Sequence, residues 1–451
     1  MKIISKSRYV LMFVDAIIFA LVTFYISGSH QASSKSMTLT SILFIFCGIY
    51  ILFMKGFYKL DKYEINLKDA YLLFEGIVLA AIIPFIILLF LDFNWESYKF
   101  FLKSIGFSYF FVLNWRLLFY YQRKYFMQKK NILIIGSGDP AKTIAKEILD
   151  RPMLKLNIIG FIENQESAES FDFQGLKIIG KTSDLKSVIE ENDVKTIVIA
   201  ITSTINYQTR MDISECVPRG VVIWRMSSFY EKITQKIPVL VLTPEWFMYE
   251  FTSVDRPLYG FVKRIFDIIT AIIILAITFP VLILIGIIVK IHDGGPIIYY
   301  QNRMGKDNKP FKMYKIRTMR IDADKEGFVD KGNTQDDRII PFCRWVRKAR
   351  FDEIPQMINI LKGEMSIVGP RAEFEDFVKK YEKEIPFYSR RHWITPGWTG
   401  WAQINQGHCV NVDAIIEKLR YDFYYIKHRN IFWDFTILIK AILMALTGRH
   451  G

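Results

Sequence analysis

The chain has 451 residues, of which 51% are hydrophobic and 15% aromatic, and its formal net charge is +14. Its length allows two or three domains. Basic charge next to long apolar runs favours an anionic membrane surface or a phosphorylated substrate as partner, and we find no motif for binding nucleic acid. The four cysteines are scattered and form no CxxC pair, which argues against a disulfide framework and a zinc site.

Four apolar runs open the chain, at 9–27, 37–54, 70–91 and 98–121. They predict four transmembrane helices within residues 1–125. Lys103 and Arg116 interrupt the fourth run, where both side chains can snorkel toward an interface. Lysines and arginines are concentrated at the N-terminus, in the second loop and after the fourth run, so both ends of this region are expected in the cytoplasm. No small-residue cleavage site follows the first run, which we interpret as a retained membrane helix.

Residues 126–252 alternate short apolar strands with helical stretches, which predicts a Rossmann-like domain with a parallel sheet. The expected strands are 132–135, 158–162, 196–201 and 221–224, and the expected helices end at 149 and 191. Gly136-Ser-Gly138, with Ala141 after it, resembles half of a dinucleotide fingerprint. Glu163, after the second strand, is a candidate ribose ligand at a loose spacing. Both a ligand-free or regulatory module and a nucleotide site remain open.

The apolar run at 265–289 contains one charged residue, Asp267. Its length is sufficient to span a bilayer. Pro280 divides the run into two pieces that are each too short to span, and proline removes a backbone N–H and clashes with the preceding turn. Both ends have basic flanks, which normally stay cytoplasmic. The pattern favours a re-entrant helix that bends at Pro280 over an ordinary fifth spanning helix.

Beyond this run, two strands are expected at 296–300 and 311–319. Residues 320–338 are rich in Asp, Lys and Gly, which predicts a mobile surface loop. The last apolar stretch, 431–446, is too short to span a membrane. It is expected either to lie in the membrane interface or to pack on its own domain.

Two adjacent acids, Asp352 and Glu353, precede Pro355 and a helical pattern that ends at Gly363. They are therefore expected at or just before a helix N-terminus, where the macrodipole keeps a carboxylate ionised. An ionised carboxylate can act as a nucleophile or as a metal ligand. Acids at such a position are more often simple helix caps, so the pair by itself does not decide between these roles.

The surroundings of the two acids are basic. Arginines and lysines crowd the preceding segment, 338–350, and Val368-Gly-Pro-Arg371 follows. Carboxylates among arginines suit transfer of a phosphoryl-linked group, because Mg²⁺ on the carboxylates and guanidinium groups on the phosphates neutralise developing charge. Some of these arginines are expected to belong to a solvated face or to a patch for lipid headgroups.

A series of ordered motifs runs from Lys263 to the end of the chain. They are Lys263-Arg-Ile-Phe-Asp267, Thr278-Phe-Pro280, Gly295-Pro296, Gln301-Asn-Arg-Met-Gly305, Tyr314-Lys-Ile-Arg-Thr-Met319, Phe351-Asp-Glu-Ile-Pro-Gln356, Leu361-Lys-Gly-Glu-Met-Ser-Ile-Val-Gly-Pro-Arg371, Pro396-Gly-Trp-Thr-Gly-Trp-Ala-Gln403 and Tyr421-Asp-Phe-Tyr-Tyr425. This half of the chain resembles the large bacterial monotopic phosphoglycosyl transferases. The first half resembles the accessory part of their long members.

The resemblance implies a membrane α+β fold: four transmembrane helices at 1–125, a degenerate Rossmann-like (CoA-binding-like) domain at 126–252, and a monotopic catalytic domain at 253–451 with a re-entrant helix at 265–289. It implies Mg²⁺-dependent transfer of a sugar-1-phosphate from a UDP-sugar to undecaprenyl phosphate, which starts capsule, exopolysaccharide or O-antigen synthesis. The implied location is the bacterial inner membrane, with the catalytic domain facing the cytoplasm. A homodimer is compatible with the long members.

By the matching motif, Asp352 would attack the β-phosphate of the donor, release UMP and carry the sugar-1-phosphate covalently. Glu353 would be its dyad partner and would help to hold Mg²⁺ or handle protons, and Asp352 would also be a ligand of Mg²⁺. The positions that would contact phosphates or complete the site are Lys315, Arg303, Arg347, Arg371, Asp422 and Pro370, and Pro280 matches the membrane break.

Four departures from the family pattern leave this pair intact. Cys343 stands where a glycine is common, Ala372 where a proline is usual, and Glu364 where an aspartate is usual. Gly407-His-Cys lacks an arginine often found there, so the identity of the sugar stays open.

Two other functions fit parts of the sequence less well. A membrane-bound nucleotide-sugar dehydratase needs a Tyr-xxx-Lys pair in its Rossmann domain, but Tyr259 and Lys263, which have that spacing, lie at the mouth of the membrane segment. A non-catalytic regulator of polysaccharide export would not need the intact Asp352-Glu353 pair.

Overall fold

The chain forms two compact units, Met1–Phe229 and Tyr230–Gly451. The computed structural model describes residues 2–29, 35–58, 65–91, 95–126, 128–163, 171–201, 205–251, 256–321, 338–406 and 411–447. The predicted domain boundaries at 125 and 252 stay predictions.

The first unit begins with the four predicted helices, α1 (Lys2–Ser29), α2 (Lys35–Met54), α3 (Leu67–Leu91) and α4 (Trp95–Phe126). Among the described residues, three helical segments are long and apolar enough to cross a membrane: Tyr9–Ser27, Leu67–Phe90 and Pro257–His292. The apolar segment of α2, Thr38–Met54, is shorter. The four helices are confirmed, and membrane crossing by all four stays a prediction.

Arg116 of α4 does not snorkel, so that expectation is wrong. Its side chain is fully buried and forms an ion pair with the equally buried Asp15 of α1. Arg116 also donates to the Phe57 carbonyl at 2.9 Å, and the Tyr58 hydroxyl donates to Asp15 at 2.8 Å. A charge on an apolar helix faces the bundle interior when a partner of opposite charge is available there. Lys103, by contrast, has an exposed side chain.

The rest of the first unit is the predicted α/β domain. Its elements are β1 (Lys130–Ile135), α5 (Asp139–Leu149), β2 (Leu156–Ile162), β3 (Asp172–Phe173), β4 (Leu176–Gly180), α6 (Leu185–Glu191), β5 (Val194–Ile199), α7 (Tyr207–Ser214) and β6 (Val222–Arg225). The strand order is β3-β4-β2-β1-β5-β6, and only β3 is antiparallel. The central run Ile132–Ile135 is fully buried, as a parallel strand covered on both faces requires. The strands β3 and β4 were not predicted.

The glycine turn after β1 brings Ser137 and Glu163 together. Gly136 has φ +107°, a conformation that favours glycine. The backbone N–H of Ser137 donates to the Glu163 carboxylate at 3.0 Å and its hydroxyl donates at 2.9 Å. Glu163 therefore lies at the end of β2 beside the turn, where a ribose ligand was expected. Nucleotide binding by this turn stays a prediction.

The second unit consists of helices around two short strand pairs. After α8 (Met226–Thr234), at which the second unit begins, its elements are α9 (Pro244–Glu250), α10 (Pro257–Asp293), β7 (Ile298–Met304), β8 (Pro310–Ile316), α11 (Cys343–Lys348), α12 (Gln356–Lys362), β9 (Ser366–Val368), α13 (Glu375–Glu384), β10 (Gly397–Thr399), α14 (Trp401–Asn405), α15 (Val412–His428) and α16 (Ile431–Thr447). The two strands expected after the apolar run are confirmed as the antiparallel pair β7–β8. Most of the expected loop at 320–338 lies outside the described residues.

The apolar run at 265–289 lies within α10. The backbone stays helical through Pro280, so this proline does not end the helix. It costs one backbone hydrogen bond, and in the same turn the Thr278 hydroxyl donates to the Ile274 carbonyl at 2.7 Å. A bend at Pro280 and a re-entrant path stay predictions.

The beginning and the end of α10 both pack against the rest of the second unit. Near its beginning, Arg264 donates to the Leu361 carbonyl at 2.7 Å and also to the Ile360 carbonyl. Near its end, Ile285 and Val289 are buried in a cluster with Cys343, Val346 and other apolar residues. Between these contacts α10 exposes large apolar side chains, among them Ile273, Ile277, Phe279 and Leu284. The exposed middle suits contact with lipid.

The C-terminal helix α16 packs on its own domain, which confirms one of the two expectations for this stretch. Ile437 and Leu438 are buried in the main core of the second unit. Asp434 is fully buried and accepts hydrogen bonds from the hydroxyls of Tyr259 at 2.7 Å and Tyr425 at 2.6 Å.

Candidate active site

The two predicted acids sit where the chain turns sharply into α12. Arg350 has φ +59°, and residues Phe351–Glu353 form one turn of 3₁₀ helix before Pro355 and α12. The expectation that the acids precede a helix is confirmed. The turn buries Glu353 and leaves Asp352 half-buried.

Glu353 is held by basic side chains from separate elements. Its Oε1 accepts from Arg371 Nη2 at 2.8 Å and from Lys315 Nζ at 3.3 Å, and Oε2 lies 3.8 Å from Arg350 Nη1. Burial alone would raise the pKa of Glu353, but the charges of Arg371, Lys315 and Arg350 outweigh it and hold this pKa well below its usual range. Glu353 is therefore a fixed anion.

Asp352 has a different environment. Its carboxylate forms no ion pair with any residue that the structure describes. Burial and the adjacent charge of Glu353 raise the pKa of Asp352 to about 6, against the opposing charges of Lys315 and Arg347. At pH 7 such a group is about nine-tenths ionised. The carboxylate of Glu353 is therefore fixed by ion pairs, whereas that of Asp352 is ionised and has no ion pair with a described residue.

Asn359 joins the strand that carries Lys315 to the helix that follows the acids. This fully buried side chain accepts from the Tyr314 N–H at 3.0 Å and donates to the Lys312 carbonyl and to Glu364, both at 2.7 Å. It thereby sets the position of β8 relative to α12. Sequence reasoning missed Asn359, although an amide inside an otherwise apolar helical pattern was a signal for it.

The position of Arg371 depends on two glycines. The strands β9 and β10 are parallel, and the Gly397 N–H donates to the Pro370 carbonyl at 2.8 Å. A Cβ at Gly397 would lie 2.0 Å from the Gly369 nitrogen, so no larger residue fits. Pro370 is buried, and its contribution is this backbone contact directly before Arg371.

A buried ionic layer lies beneath Arg371. Arg391 is 1% exposed and donates to the Arg371 carbonyl at 3.1 Å, and its Nη2 lies 2.6 Å from Asp422 Oδ2. Glu373 pairs with Arg391 and Lys418. Burial alone would raise the pKa of Glu373, but the charges of Lys418 and Arg391 bring it down to about 2. Asp422 is therefore connected to Arg371 through Arg391.

The other predicted phosphate contacts are placed differently. Arg303 is buried: it donates to the Ala372 carbonyl at 3.4 Å, and its guanidinium lies 3.3 Å from the centroid of the Phe374 ring. Its contact with a phosphate stays a prediction, and its observed contacts support the segment after Arg371. Arg347 of α11 is half-buried and close enough to Asp352 for its charge to act on it.

Comparison with known proteins adds independent information. Residues 258–448 match the family model described as bacterial sugar transferase, and residues 54–208 match the model described as CoA-binding domain. A UDP-glucose:undecaprenyl-phosphate glucose-1-phosphate transferase of Caulobacter vibrioides is 33% identical over 187 residues, which are 41% of this chain and 70% of that protein.

The chain belongs to the bacterial sugar transferase family.

Two further relatives carry related names. A UDP-N-acetylgalactosamine-undecaprenyl-phosphate N-acetylgalactosaminephosphotransferase of Aeromonas hydrophila is 40% identical, over 43% of this chain and 45% of that protein. A UDP-glucose:undecaprenyl-phosphate glucose-1-phosphate transferase of Xanthomonas campestris is 28% identical, over 70% of this chain and 66% of that protein. The match to the Aeromonas protein thus spans less than half of its length.

The side chains of Asp352 and Glu353 are of the chemical class that binds magnesium. The described residues contain no group of three or more His, Cys, Asp and Glu side chains that could form a complete metal cage. Mg²⁺ is usually bound by one or two carboxylates together with water and substrate phosphates. Asp352 is not paired with a described cation, and among the described basic groups Oε2 of Glu353 has an ion pair with Arg350 at 3.8 Å. The donor set is therefore compatible with Mg²⁺.

Gly397→Ala should destabilise this protein by about 3 kcal/mol, because the new methyl group overpacks the contact with Gly369. The measurement is the unfolding midpoint of the purified protein in detergent. Gly260→Ala is the control, since a Cβ there meets nothing within 4 Å and alanine favours the helix by about 0.5 kcal/mol. Equal midpoints for the two variants would contradict close packing of Gly397 against Gly369.

Proposed function

We propose that this protein transfers a sugar-1-phosphate from a UDP-sugar to undecaprenyl phosphate. The observation that carries the proposal is the unequal pair of acids: Glu353 is clamped by Lys315 and Arg371, while Asp352 is ionised near neutral pH and available. The names of the relatives support the same reaction.

In the first half-reaction, an Asp352 carboxylate oxygen attacks the β-phosphorus of the UDP-sugar. A bond from Asp352 to phosphorus forms, the bond to the bridging oxygen breaks, and UMP leaves with that oxygen. Arg371 donates only one of its five N–H groups to Glu353 in the described contacts. Together with Lys315 and Arg347, its remaining donors would neutralise charge on the diphosphate.

In the second half-reaction, a phosphate oxygen of undecaprenyl phosphate attacks the phosphorus of the aspartyl phosphosugar. The bond to Asp352 breaks, which restores the carboxylate and yields undecaprenyl-diphospho-sugar. Glu353 stays ionised throughout because its three basic neighbours hold its pKa low. Its charge disfavours a second anion beside it, which raises the basicity of Asp352 and favours its attack in the first half-reaction.

Asp352 and Glu353 would hold Mg²⁺, which would supply positive charge against the diphosphate of the donor. Arg391 and Asp422 act as positioning residues, since they hold the backbone of Arg371 from below.

The site has to meet a lipid acceptor and a water-soluble donor. We place the four N-terminal helices across the bacterial inner membrane, with α10 entering and leaving by the cytoplasmic face. Support comes from the basic flanks of α10 and from its exposed apolar middle. The beginning and the end of α10 also pack against the rest of the second unit. The product would start capsule, exopolysaccharide or O-antigen synthesis.

The dehydratase alternative lacks its catalytic pair. Tyr259 donates to Asp434 at 2.7 Å, and Lys263 lies 3.3 Å from Asp267 and 3.2 Å from Asp434. Both residues are therefore engaged at the beginning of α10 and are not part of the α/β domain.

Asp352→Asn removes the proposed nucleophile at constant side-chain size. Release of UMP from a UDP-sugar in the presence of undecaprenyl phosphate should fall by about 10³-fold or more, because the amide does not attack phosphorus. The assay uses a panel of UDP-sugars, since the relatives differ in their sugar. Asp376→Asn, an exposed acid in the first turn of α13, should keep wild-type turnover. Wild-type turnover by Asp352→Asn would exclude the nucleophile assignment.

The pKa of Asp352 predicts the acid limb of the pH profile. Because this pKa is raised to about 6, kcat/KM should fall about tenfold per pH unit below pH 6, where the protonated acid is inactive. Glu353 remains ionised over the same range. The rate of UMP release at substrate concentrations far below KM measures this limb. A profile that stays flat down to pH 5 would show that Asp352 does not titrate as described.

The path of α10 can be tested with single cysteines in a background without the natural four. Leu258→Cys and Ile291→Cys lie at exposed positions near its two ends. If α10 is re-entrant, an impermeant thiol reagent should label both from the cytoplasmic side of oriented vesicles. Labelling of the two positions from opposite sides would establish a spanning helix instead.

A further inference from the structure

A buried aspartate stands inside the apolar run of α10, and the proposed transfer reaction gives it no role. Asp267 lies near the beginning of this helix, where burying a carboxylate is costly unless it has partners. Its partners are the ammonium group of Lys263, at 3.3 Å, and the backbone N–H of Ile367, at 3.1 Å. The aspartate therefore reaches from the apolar helix to the strand β9.

The strand β9 needs side chains to complete one of its edges. Among the described strands it pairs with β10, through Ser366 and Val368. Backbone groups on the other edge of a buried strand must find different partners, because an unpaired N–H is costly away from water. Ile367 is fully buried, and the Asp267 carboxylate accepts its N–H.

A second side chain meets the next residue of β9. The hydroxyl oxygen of Tyr425, in α15, lies 3.0 Å from the Val368 carbonyl oxygen and 2.6 Å from Asp434 Oδ1. The ammonium group of Lys263 lies 3.2 Å from Asp434 and also contacts Asp267. The two side-chain contacts on β9 thus belong to one buried network that begins on α10.

The strand held in this way leads directly to an arginine of the candidate active site. Arg371 stands three residues beyond Val368, and in between the Gly369 N–H donates to the Thr399 carbonyl at 2.9 Å. These contacts leave the short connection little freedom. A displacement of β9 therefore moves the backbone of Arg371, and with it the guanidinium group that donates to Glu353 at 2.8 Å.

We propose that Asp267 is a positioning residue for the transfer reaction. It holds β9 at the Ile367 N–H and thereby fixes the distance between Arg371 and the two acids. The inference rests on the proposed function, in which Arg371 meets the diphosphate of the donor. Through this hydrogen bond, the position of the apolar helix is transmitted to the site.

Two substitutions separate the hydrogen bond of Asp267 from its charge. Asp267→Asn keeps an oxygen that can accept the Ile367 N–H, whereas Asp267→Leu has a similar size and no acceptor. Lys263 keeps Asp434 as a partner in both. In the UMP-release assay, kcat/KM should fall about 100-fold in Asp267→Leu, because small displacements of a positioned group cost about that much. Asp267→Asn should stay within about threefold of wild type.

Val378→Ala is the matched control for lost stability. Val378 of α13 is buried in the main core of the second unit and has no polar group to lose. Its truncation should lower the unfolding midpoint in detergent and leave kcat/KM of the folded protein within about threefold of wild type. A loss of kcat/KM as large as that in Asp267→Leu would assign the effect to stability and overturn the proposal.

A double-mutant cycle tests whether Asp267 acts through Arg371. All four proteins carry Asp352→Asn, which keeps the UDP-sugar intact, and the measurement is the Kd of the UDP-sugar that wild type turns over. Asp267→Leu and Arg371→Gln should each weaken binding by about tenfold. The double variant should bind no more weakly than Arg371→Gln alone, because both changes remove the same interaction. Additive losses would show that Asp267 acts elsewhere.

Hydrogen exchange of the backbone amide of Ile367 provides a measurement that does not depend on catalysis. Asp267→Leu should speed this exchange by about tenfold or more, and Asp267→Asn should not. Unchanged exchange in Asp267→Leu would overturn the inference by itself. A wild type that releases UMP from no UDP-sugar would contradict the proposed function instead, while faster exchange in Asp267→Leu would still establish the hold on β9.

Discussion

The second unit depends on one electrostatic arrangement, the clamping of Glu353 between Arg371 and Lys315. Two adjacent carboxylates repel each other, so the charge of one raises the pKa of the other. The basic neighbours of Glu353 fix its charge, and burial together with that charge raises the pKa of Asp352 to about 6. At pH 7 Asp352 is then mostly ionised, and its carboxylate forms no ion pair with a residue that the structure describes.

This arrangement exists only because three separate chain segments are held at fixed distances. Asn359 ties β8, and with it Lys315, to the helix behind the acids. The contact between Gly369 and Gly397 brings β9 and β10 close enough to place Arg371. Arg391 and Asp422 support the backbone of Arg371 from the interior. The charges that would meet the substrate are therefore set by buried groups that do not meet it.

The apolar helix α10 is connected to the same framework. Asp267, inside its apolar run, accepts a hydrogen bond from the Ile367 N–H at 3.1 Å, in the strand that leads to Arg371. Lys263, Asp434 and Tyr425 extend this contact to α15 and α16. A carboxylate in an apolar helix is costly unless it is paired, and here its partners join this apolar helix to the site.

The sequence alone determined the elements whose signals are local: the four N-terminal helices, the strands around Ile132–Ile135, and the turn that carries Asp352 and Glu353 ahead of Pro355. Ordered motifs also indicated the sugar transferase family. Only the tertiary structure decided that Arg116 pairs with Asp15 inside the bundle, that Arg303 and Asp422 are buried, and that Asn359 clamps β8 to α12. The physical reason is that periodicity and turn chemistry act between neighbouring residues, whereas the partner of a buried charge comes from a distant part of the chain and is chosen by packing.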